Sequence, residues 1–196
     1  MRILVFNAGS SSLKFGVFDR TRSDTLPRLK GSFERFRDGA CTLTLERDGQ
    51  RQRRDLPLVD VAAAIHAVPG LLEAEGIAGI GAVGHRIAHG GADFAGPALL
   101  DDASLARIEA LTPLAPLHNP ANLLAVRVAR RVWPDLPQVG VFDTAFHLTN
   151  PPRVFSYAVP AEWRAAGLRR YGFHGTSHKY VAERAAEART KERIDG

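Results

Sequence analysis

The chain of 196 residues has a single cysteine, Cys41. No intrachain disulfide can form and no cysteine-ligated zinc site can be built. This sparing use of cysteine predicts a reducing, cytoplasmic setting. Long apolar runs are also missing. The first strand-like run, Ile3 to Phe6, is typical, far short of the roughly 20 residues that a membrane span needs. The N-terminus passes at once into polar residues, so neither a signal peptide nor a membrane anchor is expected. There are no repeats and no low-complexity tracts. Lysine is scarce, with 4 residues against 22 arginines.

What is present is ordinary globular material. Apolar residues make up 45% and charged residues 24%, which excludes wholesale disorder and collagen-like structure. The length suits one domain, or one domain and part of a second. Net charge is +5 and the pI is 9.9. A basic balance suits nucleic acid or phosphate-bearing small molecules. The densest basic run, Arg47 to Asp55, has acidic neighbours and no interleaved aromatics. It is read as a solvated hairpin, and nucleic acid is not expected as a partner.

Hydrophobic periodicity predicts strands over Arg2 to Phe6 and Leu13 to Asp19. Further strands are expected at Ser32 to Phe36 and Cys41 to Glu46, with turns at Asp38-Gly39 and Asp48-Gly49. Residues 20–28 read as a connection. Val59 to Glu75 reads as a helix that Pro69-Gly70 could split. Ile77 to Ala88 reads as a buried strand. Helices follow at Ser104 to Leu111 and Pro120 to Val132, then a short strand at Val139 to Phe142 and a helix at His178 to Ala188. Hairpins first and alternation later predict an α/β fold with a mixed sheet. Asn150-Pro151-Pro152 is the expected domain boundary.

Five segments could carry chemistry. Asn7-Ala8-Gly9-Ser10-Ser11-Ser12-Leu13-Lys14 is a tight polar loop between strands, able to hold phosphate oxygens through hydroxyls and backbone N–H groups. It equally suits a plain hairpin tip, and it lacks P-loop spacing. In Gly84-His85-Arg86-Ile87-Ala88-His89-Gly90-Gly91, alternation places His85, Ile87 and His89 on one face and Arg86 on the other. Arg86 could fork onto a carboxylate or phosphate, or make a structural ion pair. Zinc ligation by His85 and His89, or by His174 and His178, is disfavoured without an HExxH glutamate. In Leu117-His118-Asn119-Pro120, Asn119 can cap a helix and His118 reads as a local hydrogen-bonding residue. Asp143, closing a buried strand, could orient an arginine, hold magnesium, serve as a base or simply cap. His174, ahead of a helix start in Tyr171-Gly172-Phe173-His174-Gly175-Thr176-Ser177-His178, could donate to a phosphoryl oxygen. Together these are the parts of phosphoryl transfer by positioning and electrostatics.

The five segments, in this order, resemble the acetate kinase family, whose NxGSSSxK, GHRxxHGG, HNP, FDTAFH and YGFHGTSH motifs stand at Asn7, Gly84, His118, Phe142 and Tyr171. The resemblance runs from Met1 to about Ala188, and residues 189–196 do not look like the family continuation. It implies a ribonuclease H-like fold of the actin/Hsp70 type, with a mixed sheet flanked by helices, residues 1–150 forming the N-terminal domain and 151–196 the incomplete opening of a second, similar domain. The chain would be the N-terminal half of a protein about twice as long. The implied reaction is reversible transfer of a phosphoryl group from ATP to acetate, giving acetyl phosphate and ADP, with Mg2+. By resemblance, Arg86, Asp143 and His174 are catalytic, Asp143 orienting a second arginine. Arg86, Ala88, Leu117 and Phe173 bind acetate; Ser10, Ser12 and Lys14 line the phosphate loop. His118 supports the site and Asn7 helps place the metal. Family members often carry valine where Ala88 stands, which predicts a wider acyl pocket and tolerance of propionate. The family forms homodimers, expected here for the full-length enzyme. With the nucleotide-binding half missing, the isolated chain is expected not to turn over. The alternative is a non-catalytic module that binds carboxylate or phosphate.

Overall fold

The structure, a computed structural model, describes residues 1–21 and 26–195, with side chains through Arg189. The expected connection at 20–28 therefore lies partly outside the described residues.

β1 (Arg2–Ala8), β2 (Ser12–Asp19), β3 (Leu29–Arg37), β4 (Ala40–Arg47) and β5 (Gln50–Leu56) form an antiparallel meander. Both turns foreseen from Asp-Gly have two consecutive left-handed residues, Asp38 and Gly39 (φ 52° and 76°) and Asp48 and Gly49 (φ 50° and 79°). That geometry matches the twist of the flanking strands. The basic run is this last hairpin. Arg47 donates to the Glu75 carbonyl at 2.6 Å, and Arg51, Arg53 and Arg54 are exposed on the edge strand β5. Charge on an edge strand deters pairing with other chains.

α1 (Val61–Ala74) crosses from β5 to β6 (Ile80–Ile87). The Asp60 carboxylate caps it by accepting from the Ala63 N–H at 2.8 Å. The helix runs unbroken through Pro69 rather than splitting. Its whole apolar face (Val61, Ala64, Ile65, Val68, Leu71, Leu72) is buried, and tertiary packing of this kind outweighs one lost hydrogen bond. β7 (Ala98–Leu99), α2 (Asp102–Ala110), α3 (Asn119–Val132) and β8 (Gln138–Phe142) complete an eight-stranded sheet ordered β5-β4-β3-β2-β1-β6-β8-β7. β1, β6 and β8 are mutually parallel, so the sheet is mixed, as expected.

The main core lies between the sheet and one helical layer, with Leu4, Phe6, Leu13, Ile65, Val68, Val83 and Ala129 among its buried members. A second cluster joins Ile87, Phe94, Leu105, Ile108, Leu123, Val126 and Phe142 under the ends of β6 and β8. On the other face of the sheet, Ile3, Val5, Phe18, Ala82, Val139 and Val141 line an open apolar cavity of about 1060 Å³. α4 (Pro152–Phe155), α5 (Ala161–Ala165) and α6 (Gly175–Asp195) follow. α6 starts three residues before the expected His178. Among residues 151–189 only Gly175 is buried, and Trp163, Phe173, Tyr180 and Val181 are exposed. No helix among the described residues is long and apolar enough to cross a membrane.

Candidate active site

β1, β6 and β8 end at the same edge of the sheet, the position where open α/β sheets gather ligands. Each end contributes one polar side chain. Arg86 Nε donates to both Asp143 oxygens, at 3.0 and 3.1 Å, and Nη2 donates to Oδ2 at 2.5 Å. Arg86 Nη1 donates to Asn7 Oδ1 at 3.0 Å. Asp143 is buried while the Arg86 side chain is 41% exposed. The guanidinium is thus fixed from behind by a buried carboxylate and offers its outer edge to solvent. Of the roles open to Asp143, the one seen is orientation of an arginine, and that arginine is Arg86.

His174 stands in front of this pair. It immediately precedes α6 and has a left-handed backbone (φ 56°), a conformation that non-glycine residues hold only under tertiary constraint. The constraint is visible next door. The Gly175 N–H donates to the Asp143 carbonyl at 2.8 Å, and a Cβ on Gly175 would lie 2.4 Å from that oxygen. Only glycine lets the start of α6 sit so close to β8. His147 Nε2 donates to the Phe173 carbonyl at 2.8 Å, holding the same loop from the other side.

Arg86, Asp143 and His174 line a cavity of about 370 Å³ together with Ala88, Leu117, His118 and Phe173. The same three residues also border the large apolar cavity. Ser10, Ser12 and Lys14 line neither cavity. Ser10 is exposed at the tip of a turn closed by the Gly9 N–H donating to the Ser12 carbonyl at 2.8 Å. Lys14 pairs directly with Asn7 and continues a cross-strand row to Ser32 and Thr44.

The alternation in β6 holds. His85 is buried and bonded through Nε2 to Gln138 Oε1 at 2.7 Å. Burial pushes its pKa down to about 4 against a smaller upward pull from that bond. His89 is buried too, accepts from the Gly91 N–H at 2.9 Å, and meets Tyr171 and Phe173 edge-on at 4.6 and 5.6 Å. Its pKa is lowered by desolvation. Among the described residues, no three His, Cys, Asp or Glu side chains converge as a metal cage.

Asn119 departs from the expectation of a cap. His118 precedes the helix, and Asn119 is its first residue with a fully buried side chain. Its Oδ1 accepts from the His89 N–H at 3.1 Å and its Nδ2 donates to the His89 carbonyl at 3.1 Å. Asn122, Thr144 and His147 were not singled out from sequence. Asn122 bonds the Ala88 N–H and the Ala8 carbonyl, at 2.9 and 2.8 Å, and Thr144 Oγ1 accepts from the Gly90 N–H at 3.0 Å. Their nearest sequence signal is their place inside, or one turn beyond, the HNP and FDTAFH segments.

The sequence and the fold both match known proteins. The family model described as the acetokinase family matches residues 2–195, so the match continues past Ala188, where the motifs had predicted it to stop. The acetate kinase of Deinococcus radiodurans is 47% identical over 189 residues, covering 95% of this chain and 47% of that protein. The acetate kinase of Pseudarthrobacter chlorophenolicus is 49% identical over 192 residues, covering 95% and 46%. Among solved structures, a propionate kinase from Francisella tularensis superposes with a TM-score of 0.88 at 38% identity, covering 96% of this chain and 49% of that one. Porphyromonas gingivalis acetate kinase gives 0.84 at 37%, covering 95% and 48%. The chain spans about half the length of the relatives it matches. With a family model matched almost end to end, the chain belongs to the acetokinase family.

Proposed function

We propose that the chain is the acyl-binding half of a cytoplasmic acetate kinase, which moves a phosphoryl group reversibly between ATP and acetate. The observation that carries this reading is Arg86, clamped by Asp143 and Asn7 and lining a small cavity with Ala88, Leu117 and Phe173. An acetate carboxylate is already ionised at pH 7 and needs no general base. Its carboxylate docks on the outer edge of Arg86 and its methyl enters the apolar end of the cavity. One acetate oxygen attacks the terminal phosphorus of ATP. The bond to the bridging oxygen breaks, and ADP leaves with that electron pair. His174 donates a hydrogen bond to an equatorial phosphoryl oxygen as charge spreads there. Ser10, Ser12 and Lys14 meet the phosphates, and His118 supports the acyl side.

Magnesium fits this donor set as an ion carried on nucleotide phosphates, because Asn7 Oδ1 and both Asp143 oxygens are already engaged by Arg86. Asn7 would help place the ion through its neutral side-chain oxygen. When bound, the ion would offset phosphate charge. Residues 151–196 are read as the opening of a second domain after domain 1–150, and the full-length enzyme as a homodimer.

Acetate binding to the 196-residue chain, measured by calorimetry, tests the reading. Arg86→Ala is expected to weaken binding about 10- to 100-fold, the worth of charge-assisted hydrogen bonds. Ala88→Val is expected to lower the propionate-to-acetate affinity ratio, since one methylene is worth about 1–3 kcal/mol. Acetate affinity unmoved by Arg86→Ala would reject Arg86 as the carboxylate site.

A further inference from the structure

We infer that Asn122 is the positioning residue that sets the separation of the Asn7 loop from Arg86. The last ladder pair between β1 and β6 is Phe6 with His85. Beyond it the strands are joined through a side chain. Asn122 Oδ1 accepts from the Ala88 N–H at 2.9 Å, and Asn122 Nδ2 donates to the Ala8 carbonyl at 2.8 Å. The amide acts as a substitute peptide, adding one rung where the two backbones part. The bonded groups lie one residue beyond Asn7 and two beyond Arg86. The Arg86–Asn7 contact at 3.0 Å bridges the same two strands from the opposite face.

Asn122 is buried, 5% exposed, so both halves of its amide must find partners inside the protein. It lies one helical turn after Asn119, which grips the His89 backbone by the same two-way pairing. The first turn of α3 therefore holds consecutive residues of the β6 end, and among the described residues of that turn Asn122 is the one whose side chain hydrogen-bonds β1. Only an amide of this length carries both a donor and an acceptor here. Aspartate keeps the acceptor and, when ionised, loses the donor. Alanine loses both.

The functional meaning rests on the acetate kinase reading, but the geometry is testable without it. The probe is the Arg86 Nε–H resonance of the 15N-labelled chain, assigned by its loss in Arg86→Lys, with hydrogen exchange measured at that site. In the parent chain it should be protected by its bonds to Asp143. In Asn122→Ala, exchange should quicken about tenfold, the factor that one hydrogen bond's net worth sets. Asn122→Asp should fall between the two. Acetate affinity should follow the same order. A structural role alone lowers the unfolding midpoint and leaves the Arg86 signal of the folded protein where it was. That result in either variant overturns the inference, and if Asn122→Ala does not fold, the near-isosteric Asn122→Asp decides. Should the parent chain fail to bind acetate while the variants still shift Arg86, the acetate reading falls and the positioning role stands.

Discussion

At β6, neighbouring residues serve opposite ends. Arg86 faces the cavity while His85, one position earlier, is sealed beneath the sheet beside Phe6 and Gln138. Its folded pKa of about 4 lies below the ordinary histidine value of 6.5. Between those values the unfolded chain binds a proton that the folded chain refuses. The stabilisation is therefore fully present above about pH 6.5 and is lost as pH falls towards 4, reaching about 3 kcal/mol. His89, also lowered by burial, adds in the same direction. Urea unfolding followed from pH 7 to pH 4 should show this decline, and His85→Gln should flatten it. An unchanged slope in the variant would mean that His85 takes up its proton equally in the folded and unfolded chain. The faces of His85, Arg86 and His89 were legible from period-two alternation alone. The roles of Asn119 and Asn122 were not, because an asparagine at a helix start reads as a cap. Their partners at the ends of β1 and β6 lie 30 to 114 residues away.

Among the elements, the decisive junction is β8 to α6. The sequence marks both ends, with Asp143 closing a strand and glycines flanking His174, but it does not say that they touch. The touch is a hydrogen bond from Gly175 to the Asp143 carbonyl, with no room for a side chain. Gly175→Ala must push the α6 start away, carrying His174 with it. If the acetate kinase reading holds, kcat measured with the C-terminal half of a full-length relative added in trans should fall about 100-fold, the scale of a 1 Å misplacement. The KM for acetate should change far less, since Arg86 and the acyl walls stay. An unaltered kcat would remove His174 from the transition state. α1 teaches the converse lesson. Pro69-Gly70 left a split open, yet the buried face of the helix on the sheet carries it through.

For the whole molecule, half-length is the governing fact: the chain covers 47% of its Deinococcus relative and 49% of the Francisella kinase. Site residues that act as a unit lose nearly all rate when part is missing. Hydroxylamine, which traps acyl phosphate, should therefore detect none from the chain alone with Mg-ATP and acetate. Adding the C-terminal half of a full-length relative in trans should restore an acetate-dependent signal that Arg86→Ala abolishes. Robust turnover by the chain alone would overturn the half-site reading. Restored association without turnover would favour a binding module instead.

Strands β1 to β4, β6 and β8, helices α1 to α3 and α6, the two Asp-Gly turns, the mixed sheet and the five chemistry-bearing segments follow from local rules, whereas β7, α4 and α5 were not foreseen. Period, turn residues and short motifs are written within a few positions of one another, and sequence determines them directly. Tertiary structure alone decided that Asp143 grips Arg86, that Asn7 completes the clamp, and that α3 ties β1 to β6. These contacts join residues 57, 79 and 114 positions apart in the chain. Their partners are fixed by which strands lie side by side, and that depends on burying the sheet under α1 and α3 rather than on any local pattern.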